Sequence, residues 1–132
     1  MKWFLITGTA LVLAGCQQAA TRNSSPVSVT ATGTPLRLNF FSSLNADCSS
    51  LGPIPVRVIQ PPVNGTVSVV QAQDYPRYNS ANQRYHCNAR RVTGTRVVYT
   101  PRAGFVGQET IVVEGFYPSG TADRLTHTVN IR

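Results

Sequence analysis

Apolar and polar positions along the chain fall into three textures. Behind Met1-Lys2 lies an apolar run of twelve residues, Trp3 to Ala14, closed by Gly15-Cys16. Residues 17–26 are small and polar and carry no apolar period. From Val27 onward, short runs rich in Val, Ile, Thr and Tyr alternate with clusters of Gly, Pro, Asn and Ser. Leu36, Leu38 and Phe40 flank Arg37 and Asn39; Val56 and Val58 flank Arg57; Val67 and Val69 flank Ser68. Val97 and Tyr99, then Ile111 and Val113, repeat the pattern, and Leu125, His127, Val129 and Ile131 close it. A period of two marks strands with one buried face. No segment after Ala14 has a helical period. About seven short strands in about 105 residues predict an all-β fold, an antiparallel immunoglobulin-like β-sandwich.

One stretch breaks the alternation. Residues 72–91 are polar and aromatic and hold Tyr75, Tyr78, Tyr85, Arg77, Arg84, Arg90 and Arg91. They predict a long loop or irregular hairpin, pinned at Cys87, and loops of this length in compact domains are often functional.

The amino-terminal run is too short for a bilayer span, which needs about 20 apolar residues. Its basic start, apolar middle and small-residue exit have the form of a secretory signal. Leu13-Ala14-Gly15-Cys16 resembles the lipobox of bacterial lipoproteins. That resemblance implies cleavage before Cys16, diacylglycerol on its thiol and acylation of the new amino terminus, which makes palmitate-type chains the expected modification. Two or three acyl chains make a lasting anchor, whereas one is marginal. Aspartate after the cysteine resembles an inner-membrane retention signal; Gln17 stands there instead and points to the outer membrane. The expected organisation is therefore a signal peptide at 1–15, a lipidated terminus and flexible tether at 16–26, and one sandwich domain at 27–132. The expected location is the cell envelope, facing the periplasm or the cell surface.

Lipid on Cys16 leaves Cys48 and Cys87, and an even pair in an exported chain predicts a disulfide. Closing a loop of about 40 residues is worth about 4 kcal/mol in the chain-entropy model. The chain after the signal carries eleven arginines, no lysine and five acids, Asp47, Asp74, Glu109, Glu114 and Asp123. A basic surface favours anionic partners such as lipid phosphates, acidic glycans or acidic proteins. Nucleic acid is not expected as a partner of an exported lipoprotein.

Two segments carry a second resemblance. Pro62-Val63-Asn64-Gly65-Thr66-Val67 and the later run from Val98 to Ile111, with Tyr99-Thr100-Pro101, Gly104-Phe105 and Gly107, resemble the bacterial cadherin-like, immunoglobulin-like repeat. The family shows P-x-x-G-T-V followed by Y-T-P-x-x-G-F-x-G-x-D, and it implies a seven-stranded sandwich. The match covers residues 61–71 and 97–117. Glu109 stands where the family usually has aspartate, the 72–91 insertion is atypical, and one copy stands alone where the family forms tandem arrays. The adhesin role therefore does not transfer. Five scattered acids also offer no oxygen cluster for calcium.

Catalytic patterns are missing. There is no G-x-S-x-G elbow, H-E-x-x-H, phosphate loop or zinc spacing. Glu109 and Glu114 should face opposite sides of one strand. His127 falls on an apolar face, where a partly buried structural histidine is expected. No catalytic residue, cofactor or metal is expected. The expected function is a non-catalytic, lipid-anchored envelope module that binds or assembles, with Tyr75, Arg77, Tyr78, Arg84, Tyr85, Arg90 and Arg91 as contact residues. The alternative is an accessory lipoprotein of a secretion or surface-assembly complex that recruits its partner by strand addition. A hydrolase with a triad hidden from sequence is the third reading.

Overall fold

A computed structural model describes residues 26–132. The expected signal peptide, the expected lipid site Cys16 and most of the expected tether fall outside the described residues. Seven strands follow one another: β1 (Val27–Thr30), β2 (Leu36–Phe41), β3 (Val56–Gln60), β4 (Gly65–Asp74), β5 (Val92–Pro101), β6 (Gly107–Phe116) and β7 (Ala122–Ile131). One short 3-10 helix, Tyr85–Ala89, interrupts the connection from β4 to β5.

The strands form two sheets, ordered β2-β5-β4 and β1-β7-β6-β3. Neighbours pair antiparallel except β1, which runs parallel to β7. This is the immunoglobulin-like arrangement with its first strand on the second sheet rather than beside β2. The transfer leaves the outer edge of β2 without a strand among the described residues. The loops at 31–35, 61–65 and 101–107 gather at one end of the sandwich. Those at 42–55, 75–91 and 117–121 gather at the other.

Alternation builds the core as the sequence predicts. Val97, Tyr99, Ile111, Val113, Val129 and Ile131 point inward and are buried, with Phe41 and Ile54 among them. Thr95 hydroxyl donates to Ile54 O at 2.6 Å and ties the two sheets across the core.

β2 departs from simple alternation. A bulge between Arg37 and Asn39 shifts its register, so that Phe41 enters the core and Phe40 turns to the outer face. A bulge inserts one residue, and every side chain beyond it changes face. Gly94 of β5 lies under the displaced ring: a Cβ there would stand 2.5 Å from the Phe40 ring and would also strike Phe41 O.

Glu109 is buried on β6, and its carboxylate accepts the backbone N–H groups of Val63 at 3.1 Å and Asn64 at 2.5 Å. Glu114, on the opposite face of that strand, pairs with Arg124 at 3.2 Å. The longer glutamate side chain thus reaches across to hold the turn before β4, where an amide left unbonded would be costly.

Candidate functional site

The loop after β4 is held at both ends and in the middle. Asp74 accepts Tyr75 N–H at 2.8 Å and pairs with Arg96 at 3.1 Å and with Arg37. Burial pushes the Asp74 carboxyl up, but the Tyr75 N–H and the Arg37 and Arg96 guanidiniums outweigh it and hold the group below its ordinary value. The Asn88 side chain works as a clamp: its Oδ1 accepts Tyr78 N–H at 2.9 Å and its Nδ2 donates to Tyr78 O at 2.8 Å. Asn79 and Asn82 each accept an N–H two residues on, from Ala81 at 3.1 Å and Arg84 at 2.8 Å, which makes two tight turns. Arg91 donates to Gln73 O at 2.8 Å and closes the loop onto β4.

Beneath the loop lies a second, smaller core. Leu44, Cys48, Cys87 and Val92 are buried together, with Phe40 and Tyr78 packed against them. Cys48 and Cys87 are joined by a disulfide with their Cα atoms 5.5 Å apart. Cys48 has φ of 70°, unusual for a residue with a side chain, so the bridge holds the 42–55 loop in a tight bend. Arg84 Nε donates to Leu44 O at 2.5 Å across the same junction.

The seven candidate contact residues therefore divide. Tyr78 and Arg84 are half-buried and hold the loop in place. Tyr75 and Tyr85 are 51% and 53% exposed, and Arg77, Arg90 and Arg91 are exposed beside them in the same loop. Among the described residues none of these three arginines has an ion pair. Asp74 is engaged with Arg37 and Arg96, Glu114 with Arg124, Glu109 with backbone and Asp123 with the Tyr117 hydroxyl, while Asp47 bonds to Ser49 and lies close enough to Arg90 to feel its charge. The same end of the sandwich thus presents three exposed arginines without a direct ion pair among the described residues.

Between β2 and the first half of β7 the sandwich opens into a cleft of about 300 Å³. Leu38 and Leu125 line it together with Arg77, Tyr78, Tyr117 and Asp123. Burial, then the charge and hydrogen bond of Asp123, push the Tyr117 hydroxyl up to about 12, so it stays a proton donor. Sequence alternation contains no signal for this cleft, because it arises where two strand edges are unpaired among the described residues.

Cys48, His86 and Cys87 place their donor atoms within 4.8 Å of one another. The two sulfurs are bonded to each other, so neither is available as a thiolate ligand. His86 Nδ1 lies 3.0 Å from Gln83 O. His127 faces the core; burial holds its pKa below the ordinary histidine value, and its Nε2 has no hydrogen-bond partner among the described residues. No helix among the described residues is long and apolar enough to cross a membrane.

No family model matches the chain, and no match was found among curated proteins or solved structures.

Proposed function

We propose that the protein is a non-catalytic, lipid-anchored module of a bacterial cell envelope that binds an envelope partner through the end of the sandwich formed by the 75–91 loop. One observation carries this reading. The loop is fixed by a disulfide, a private core and an asparagine clamp, yet it leaves two tyrosines and three arginines at the surface. A fixed loop loses little conformational freedom on docking, and preorganisation of that kind raises affinity. Tyrosine and arginine are the residues most enriched at binding hot spots. The three exposed arginines, none in a direct ion pair among the described residues, favour an anionic partner surface.

The lipid anchor at Cys16 and the outer-membrane location rest on the lipobox and on Gln17. The proposed kinship with the cadherin-like repeat rests on the two sequence segments at 61–71 and 97–117. Recruitment of a partner by strand addition is a second reading, favoured by the edges of β2 and β7 that are unpaired among the described residues.

Pull-down after cross-linking in intact envelopes tests the main reading. Arg90→Ala combined with Arg91→Ala should lower partner recovery at least about tenfold, the loss of roughly one charged hot spot. Equal recovery from a variant with its Cys48–Cys87 bridge intact would reject the loop as the contact surface. Cys16→Ser should release the protein from the membrane fraction; unchanged membrane retention would reject the anchor.

A further inference from the structure

β7 is ten residues long, from Ala122 to Ile131, and its whole length pairs with β6 on one side. On its other side β1 covers only Thr128–Ile131. Among the described residues, nothing pairs with the backbone edge from Ala122 to His127, and nothing pairs with the outer edge of β2. The cleft of about 300 Å³ lies between these two open edges.

We infer that this flank takes up an extended segment of another envelope polypeptide, added as a strand along Ala122–His127 of β7. The inference rests on the proposed role as a partner-binding module and gives that role a second contact. In strand addition, main-chain hydrogen bonds supply affinity and alternate side chains enter pockets. Every second side chain of a strand beside β7 would face the cleft, whose floor includes Leu38 and Leu125. Arg77 stands at its rim, exposed and without an ion pair or side-chain hydrogen bond among the described residues. The segment that fits therefore alternates apolar residues with polar ones and carries a carboxylate within reach of Arg77.

The chain's own tether is a poor occupant. Pro26 immediately precedes β1 and has no N–H to extend the ladder. Residues 17–25 contain Arg22 and no acid, so they would bring positive charge toward Arg77. A second copy fits no better, because its surface is basic as well.

In vivo photo-cross-linking of the full chain tests the inference. A photo-reactive amino acid at exposed position 126 should give an adduct with a different polypeptide in intact cells. Mass spectrometry should map the cross-linked peptide to an alternating segment with an acidic residue. Arg77→Glu should lower that adduct about tenfold, as loss of one charge-assisted contact would. No adduct, an adduct with residues 17–25 or with a second copy, or an adduct indifferent to Arg77→Glu would each overturn it. The same probe at position 90 reports the loop surface separately, so failure at the β7 edge is distinguishable from failure of the binding-module reading.

Discussion

Phe40 and Phe41 show how a single residue position redirects the fold. Read as Leu36, Leu38, Phe40, the alternation of β2 predicts Phe40 inside, yet the bulge after Arg37 sends Phe41 inward instead. The displaced Phe40 then covers the second core, and Gly94 is the residue that makes room for it. Gly94→Ala should cost about 1–3 kcal/mol, the usual range for overpacking, measurable by urea unfolding. A variant as stable as wild type would mean that the ring and the β2 backbone yield freely. Bulges leave no periodic mark, so this change of face was not legible, whereas the inward positions of β5, β6 and β7 were. His127 was legible as a core-facing residue, and its lowered pKa makes stability depend on pH. The folded state binds its proton less readily than the unfolded chain, so stability is full above about pH 6.5 and declines as pH falls below it. The thermal midpoint should therefore drop between pH 7.5 and pH 5, and His127→Leu should flatten that drop. An identical pH dependence in the variant would assign the effect to other groups.

The 75–91 loop carries the physics at the element scale. Its polar, aromatic composition marks it as exceptional, and the pairing of Cys48 with Cys87 is the one expected when Cys16 is set aside as the lipid site. The private core beneath it was hidden, because Leu44, Tyr78 and Val92 are separated in sequence and meet only in the fold, around the disulfide. Arg84 likewise resembles a surface arginine until its bond to Leu44 O is seen. Cys48→Ala with Cys87→Ala should remove about 4 kcal/mol by the chain-entropy model, for a sequence separation of 39. Chemical unfolding checks the magnitude, and a loss under about 1 kcal/mol would mean that packing alone holds the junction. Asn88→Ala removes two hydrogen bonds to Tyr78 and should cost about 2 kcal/mol. Faster amide exchange at Tyr78 is its direct readout, and unchanged exchange would show that the clamp is redundant.

At the scale of the whole molecule, the two ends of the sandwich differ in kind. The end with the 61–65 and 101–107 loops is held by backbone contacts and Glu109. The other end has a disulfide, its own core, exposed tyrosines and exposed arginines, and beside it the β7 flank that is unpaired among the described residues. If residues 17–26 act as the proposed tether, their full extension of about 35 Å would carry the domain clear of lipid headgroups. In the proposed arrangement the lipid sets where the domain works and the loop end sets what it meets. Hydrogen–deuterium exchange of the domain on isolated envelopes, compared with the free domain, reads the docking face directly. The prediction is slower exchange across residues 75–91, accompanied by residues 122–127 if a strand is added there. Protection confined to residues 61–65 and 101–107, or none anywhere, would contradict it.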